Sequence, residues 1–232
     1  MKLTDFRNQL RSSVEKICQR NKWDFQNAKQ RGMAFEDWCF DLLSEKYPTA
    51  DVDRSQAILR TDDGGNDIIF EAADTQEAFV VQCKFPFVAQ QKPVAEDEVK
   101  EFFSNFSLLY DKKYIKQRAG KNQRLTELSN ELKYWVQNNW AINFVFVTTD
   151  TRGQNVEALI EKYNSEFIGE PYNVRFDVWD LANLKDIWAD VQSVTETYPD
   201  IVKFTLADDH YMIPAGKLSN ITCRIPDDCR VF

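Results

Sequence analysis

The sequence predicts an α/β domain: a mixed β-sheet core flanked by helices, with an extra helix at the N-terminus and a short β-rich segment at the C-terminus. Three observations predict it. Apolar residues recur at helical spacing on both sides of a group of short strand-like runs. Residues 142–148 (INFVFVT) form a near-continuous apolar run, as in a central strand covered on both faces. After that run the signals alternate helix, strand, helix, an order that needs helices packed on a mixed sheet.

Over residues 4–19, Phe6, Leu10, Val14, Ile17 and Cys18 recur at helical spacing and give an amphipathic helix with a basic outer face. A second helix runs over 24–46. Its apolar stripe is Phe35, Trp38, Cys39, Leu42 and Leu43, and it stops before Pro48. Three strand candidates follow: 51–59, half-buried in pattern, then 66–71 (NDIIFE) and 78–85 (AFVVQCKF), the last two joined by a polar turn as in a hairpin. Gly64-Gly65 marks the bend entering the middle strand. Pro93 opens a helix that runs through Val99, Phe102, Phe103 and Phe106 to about Tyr110, with Glu96, Asp97 and Glu98 early, where the helix dipole favours acids. A basic connector leads to a helix over 125–136 carrying Leu128, Leu132 and Trp135. After the 142–148 strand come a helix over 156–167, a strand over 174–179 and a helix over 181–191; from Ile201 on the pattern is short strands and turns. The expected division is an N-terminal helical extension (1–30), a main domain (31–195) and a C-terminal segment (196–232) that could begin a further domain.

A chain of 232 residues, 43% hydrophobic and 13% aromatic, has ample material for a packed core, which argues against disorder. The net charge of −8 opposes non-specific contact with a polyanion, but local patches govern where one docks. Two exist: Arg7, Arg11, Lys16, Arg20, Lys22, Lys29 and Arg31 near the N-terminus, and Lys112, Lys113, Lys116, Arg118, Lys121 and Arg124 after Tyr110. Solvated helix faces would explain both equally well. The five cysteines (Cys18, Cys39, Cys83, Cys223 and Cys229) form no CxxC pair, which speaks against a zinc finger; Cys223 and Cys229 could be bridged. No signal-like or membrane-spanning run occurs, so a cytoplasmic location and no membrane contact are expected. The single histidine, His210, leaves almost no material for histidine-based triads or metal clusters, so catalysis would rest on carboxylates, lysine and a metal.

The informative segment is Thr61-Asp62-Asp63-Gly64-Gly65-Asn66-Asp67, followed by Val80-Val81-Gln82-Cys83-Lys84. On a strand Gln82 and Lys84 point one way and Cys83 the other, and a paired strand beginning near Asp67 brings its carboxylate beside Gln82. A carboxylate, an amide oxygen and an ammonium then meet on rigid strands, which suits a hard cation together with a phosphate. An edge strand, or a buried Lys84–Asp67 ion pair, would be the structural account of the same residues. On the second helix Gly32, Glu36, Cys39 and Leu43 share a side, so Glu36 is expected on or beside the core-facing stripe, with Gly32 permitting close backbone approach.

A glutamate on a helix, a glycine-rich bend ending in Asp67, and Gln82-Cys83-Lys84 on the next strand resemble the PD-(D/E)XK nuclease superfamily, and the DGGND…VVQCK wording is most similar to its restriction-endonuclease-like Mrr branch. The segment also resembles the N-terminal nuclease-like domain of the abortive phage infection (AIPR) family, a likeness spanning roughly Gln30 to Gln192. The resemblance implies a restriction-endonuclease-like fold and a Mg²⁺- or Mn²⁺-dependent endonuclease acting on DNA rather than RNA, in phage defence or restriction. It implies catalytic roles for Glu36, Asp67, Gln82 and Lys84. Asp67 would be the principal metal ligand, joined by Gln82, the backbone carbonyl of Cys83 and, through water, Glu36. Gln82 stands where many members carry an acid. Asp63 is a further acid close to these ligands, and Arg7, Arg11, Lys112, Lys113, Lys116, Arg118, Lys121 and Arg124 would hold the phosphate backbone. Double-strand cutting would call for a homodimer. The alternative expectation is a catalytically inactive nucleic-acid-binding or interaction module on the same fold.

Overall fold

A computed structural model of the chain describes residues 1–50, 52–59, 65–86, 92–119, 123–168, 172–197, 201–205, 210–214 and 230–231. Asp63 and Lys121 lie outside the described residues, as do Cys223 and Cys229. Two compact units are present, Met1–Asp186 and Ile187–Phe232.

The larger unit is built on a four-stranded sheet in the order β1-β2-β3-β4: β1 (Ile68–Ala72), β2 (Glu77–Lys84), β3 (Ala141–Thr148) and β4 (Val174–Trp179). β1 and β2 are antiparallel, with Ile68 opposite Val81; β2–β3 and β3–β4 are parallel. The hairpin and the mixed sheet expected from sequence are therefore present. Strand alternation assigns the faces. Ile69, Ala78, Val80, Ile142, Phe144, Phe146 and Phe176 enter one core together with α4 (Glu96–Tyr110), α6 (Gln123–Gln137) and α7 (Gln154–Glu166). Phe102 meets both Phe144 and Phe146, and Phe106 meets Phe144 and Phe176, all at centroid separations of 5.6–6.1 Å. Each such buried ring contributes about 2–3 kcal/mol by transfer from water. α4 thus runs antiparallel to β2, β3 and β4, its N-terminus at their C-terminal ends.

The other face carries Phe70 and Phe79, covered by α2 (Ala28–Lys46) through Phe40 and Tyr47. Near the end of β2, Phe35 of α2 packs on Phe85 at 4.8 Å. α1 (Leu3–Arg20) buries Phe6, Leu10, Val14, Ile17 and Cys18, the stripe read from its spacing, and Phe6 meets Trp38 of α2 edge-on. α2 begins later than its periodicity suggests because the Asn27 side chain accepts from the N–H groups of Lys29 and Gln30 and caps it there.

Of the strand expected over 51–59, the described residues 52–59 form none. Residues 54–57 instead form a helical turn, α3 (Arg54–Ala57), capped by Asp53, whose carboxylate accepts from the Ser55 N–H. Arg54 ties this turn to α2 through Asp37 and Asp41. Ile58 and Leu59 keep strand-like contacts, Ile58 bridging Ile68 and the Leu59 N–H donating to the Asp67 carbonyl. The first part of the basic connector after Tyr110 is helical, α5 (Lys112–Ala119), started by the Asp111 carboxylate, which accepts from Lys113 N–H.

α8 (Leu181–Thr197) crosses the boundary between the units. The smaller unit holds a three-stranded antiparallel sheet, β5 (Ile201–Thr205) flanked by β6 (His210–Pro214) and β7 (Arg230–Val231), in keeping with the β-rich segment expected there.

Candidate active site

Gln82 and Lys84 sit at the C-terminal end of β2, and Asp67 lies opposite Gln82 at the entry to β1. Gly65 takes φ +85°, a left-handed conformation that glycine adopts without a Cβ penalty, and turns the chain into β1. Asp67 follows. Its N–H donates to the Val81 carbonyl at 2.8 Å, its carbonyl accepts from Leu59 N–H, and its carboxylate Oδ2 accepts from the Cys83 N–H at 2.6 Å. The carboxylate therefore lies against the Gln82–Cys83 peptide, opposite Gln82 as the Ile68–Val81 register requires. In an extended strand one residue's N–H and C=O point the same way, so the Cys83 carbonyl also opens toward Asp67.

Gln82 and Lys84 share the α4 face. They line a cavity of about 320 Å³ with Gly65, Glu98, Glu101 and Asn105. Asn105 is the buried floor, and a Cβ placed on Gly65 would sit 3.3 Å from Gln82 Nε2 and 3.6 Å from Asn105 Nδ2. Lys84, Glu98 and Glu101 are exposed at the mouth. Among the described residues the side chains of Gln82, Lys84, Glu98 and Glu101 make no hydrogen bond or ion pair. Lys84, Glu98 and Glu101 are solvated there, and the half-buried Gln82 amide faces the same space.

Glu36 approaches from the other face. It and Asp67 both bear on the Cys83 thiol, which burial first, then the hydrogen-bonded Cys39 thiol, and then those two carboxylates hold well above its ordinary value. That thiol stays protonated, so Cys83 has its carbonyl rather than its sulfur to offer a hard cation. Asp67, Gln82 and Lys84 are thus brought to one end of the sheet, with Glu36 beneath the same end on α2. Gly32 does not bring backbones together: a Cβ there would meet nothing within 4 Å.

The cations expected to hold nucleic acid are scattered. Arg11 lies over the Phe25 ring at 5.9 Å. Lys112, Lys113 and Lys116 are exposed on α5, at the end of α4 remote from Lys84. Arg124 is committed to Glu127 and Glu131 at 3.2 and 2.8 Å. The Arg118 side chain is outside the described residues. Glu98, Glu101 and Asn105 were not singled out by sequence as site residues. Their spacing of three and four residues places them on one helix face, but nothing in that spacing says the face looks at Lys84.

A larger hollow, about 740 Å³, lies against β3 and β4 around Tyr47, Asn143 and Trp179. Its polar groups are largely engaged: Glu77 with Tyr47 and Thr75, Asn164 with Phe176, and Asp177 with Arg152. The smaller cavity is the one that adjoins Gln82 and Lys84.

The donor set fits a hard divalent cation in kind: the Asp67 carboxylate, the Gln82 amide and the Cys83 carbonyl all present oxygen. Among the described residues no three His, Cys, Asp or Glu side chains converge to cage an ion, so water would have to complete its shell. Also among the described residues, no helix is long and apolar enough to cross a membrane.

Residues 28–115 match the family model of the Mrr catalytic domain, described as a restriction endonuclease. The matched stretch contains Glu36, Asp67, Gln82, Lys84 and the α4 residues of the cavity, and the mixed sheet flanked by helices is consistent with a restriction-endonuclease-like fold. No curated protein and no solved structure matches the chain. The match supports a nuclease domain of the restriction-endonuclease type.

Proposed function

We propose that this chain is a divalent-metal-dependent endonuclease that hydrolyses phosphodiester bonds in DNA, with restriction or phage defence as its setting. The observation that carries the reading is the gathering of Asp67, Gln82 and Lys84 at one end of the sheet, where Gln82 and Lys84 line a cavity with Glu98, Glu101 and Asn105. The abortive phage infection likeness belongs to this proposal and rests on the order of elements through Gln192.

Asp67, Gln82 and the Cys83 carbonyl would hold the ion, with Glu36 reaching it through water. A bound Mg²⁺ or Mn²⁺ supplies Lewis acidity, lowering the pKa of a water toward neutrality and drawing charge from the phosphate oxygens. Lys84 places an ammonium at the cavity mouth, where it can hold the attacking water and offset negative charge growing on the phosphate. The Cys83 N–H keeps the Asp67 carboxylate oriented before any ligand arrives. No histidine is required.

The test is cleavage of supercoiled plasmid and linear duplex in Mg²⁺ and in Mn²⁺. Asp67→Ala and Lys84→Ala are expected to lower the rate by roughly 10²-fold or more while unfolding as cooperatively as the wild type. A second reading, a nucleic-acid-binding module without chemistry, is favoured by one observation: Gln82 offers a neutral amide where an acid would bind metal more strongly. Salt-sensitive DNA binding, with no calorimetric signal for Mn²⁺ and no cleavage of DNA or RNA, would establish that module instead.

A further inference from the structure

The strands alone leave the proposed centre short of negative charge. Asp67 contributes −1, Gln82 nothing, and Lys84 +1, so the three motif side chains sum to zero beside an ion that carries +2 and must attract a phosphodiester as well. Hard divalent cations are held in proteins through carboxylates, with waters filling the remaining positions. The further acid assigned above, Glu36, approaches from the opposite face of the sheet, so on the Gln82–Lys84 side further charge has to come from elsewhere.

The cavity supplies it. Gln82 and Asn105 stand at one level, both against Gly65. Lys84 is two residues further along β2, about 6.6 Å away. α4 runs antiparallel to β2, and four residues back along it, about 6 Å, is Glu101. Glu101 therefore faces Lys84 across the cavity, and Glu98 stands about one turn nearer the mouth. Neither carboxylate has a partner among the described residues, unlike Glu127 and Glu131, which are paired with Arg124. The space also fits: six waters around Mg²⁺, at about 30 Å³ each, fill little more than half of a cavity of about 320 Å³.

Resting on the nuclease reading above, we infer that Glu101 provides, from the α4 side of the cavity, the carboxylate charge that the glutamine at position 82 withholds, holding the ion's waters opposite β2. Glu101 is then a positioning residue acting through those waters, since the described acids do not converge into a cage of their own. The arrangement divides the ion's electrostatic support between a strand and a helix, and it permits Gln82 to be neutral.

The experiment is a calorimetric titration with Mn²⁺ alone, without DNA, on the full chain. Wild type, Asp67→Ala, Glu101→Gln and the double variant Gln82→Glu/Glu101→Gln are compared, with melting temperatures measured in parallel. Glu101→Gln is expected to weaken Mn²⁺ binding by about tenfold or more at an unchanged melting temperature. Restoring an acid on the strand, in the double variant, is expected to bring affinity back to within about threefold of wild type, a rescue that a merely structural role for Glu101 would not produce. Wild-type affinity in Glu101→Gln, or weakened binding that the double variant does not rescue, overturns the inference. If Asp67→Ala meanwhile abolishes binding, the nuclease reading stands without it. A wild type that binds no Mn²⁺ sinks both.

Discussion

Gly65 shows how one missing methyl group can serve a site rather than the fold. Its φ of +85° alone makes alanine unfavourable by about 1 kcal/mol. The added Cβ would also press on Gln82 Nε2 at 3.3 Å, and the far end of a flexible side chain yields easily. Stability should therefore fall only slightly in Gly65→Ala while the Gln82 amide moves, and cleavage should drop by about tenfold or more. Gly32→Ala is the control: its Cβ would meet nothing, it sits inside α2, and helix propensity predicts a gain of about 0.5–1 kcal/mol with unchanged cleavage. Equal rate losses in the two variants would show that Gly65 has no special relation to Gln82. At this scale sequence was informative about residues that share one strand, because alternation alone puts Gln82 and Lys84 on one face. It was silent on Glu98, Glu101 and Asn105, whose approach to Lys84 depends on the register of a helix against a sheet. Gly32 misled because a glycine on a core-side helix face suggests close approach, and here no neighbour takes it up.

Among the elements, the apolar ones were legible and the polar turns were not. β3 and the α4 stripe follow from hydrophobic periodicity, whereas α3 depends on a single Asp53–Ser55 cap hidden in a segment that alternates like a strand. The outer edge of β4 also depends on polar details. The Asn164 amide donates to the Phe176 carbonyl and accepts from the Phe176 N–H, both at 2.9 Å, while Asp177 accepts from the Val178 N–H and Arg152 donates to the Val178 carbonyl. Side chains thus occupy hydrogen-bonding groups that an added strand would use. Asn164→Ala should cost about 1–3 kcal/mol in urea unfolding, because it leaves two peptide groups on the edge unanswered. A second element-level test concerns α6. Burial raises the Glu131 carboxyl above its ordinary 4.5, against the opposing pull of Arg124, with Glu71 and Glu127 adding to the rise. A carboxyl raised in the folded state binds its proton more tightly folded than unfolded, so its stabilising contribution is complete below about pH 4.5 and fades as pH climbs through the folded value. Glu131→Gln cannot lose a proton. Its melting temperature should match wild type near pH 4 and exceed it at pH 7, whereas an equal gap at both would assign the difference to something other than ionisation.

For the whole molecule the question raised by the nuclease proposal is how a chain of net charge −8 would hold a polyanion. The exposed lysines of α5 are separated from Lys84 by most of the length of α4, fifteen residues or about 22 Å. On that proposal Lys112, Lys113 and Lys116 would grip backbone phosphates from there without reaching the scissile bond. Binding and chemistry should then separate. Replacing all three by glutamine is expected to lower the slope of log affinity against log salt by about 2.7, since each phosphate contact contributes about 0.9. Single-turnover cleavage at saturating DNA should stay within about twofold of wild type, because nothing at the Asp67–Lys84 end has changed. A Lys84→Gln variant should do the reverse, retaining most of the salt slope while losing the rate. Fluorescence anisotropy across 50–200 mM salt gives the first quantity and rapid-quench cleavage the second. An unchanged slope in the triple variant would remove α5 from the nucleic-acid surface and leave the cations of α1 and the α1–α2 turn as the remaining grip.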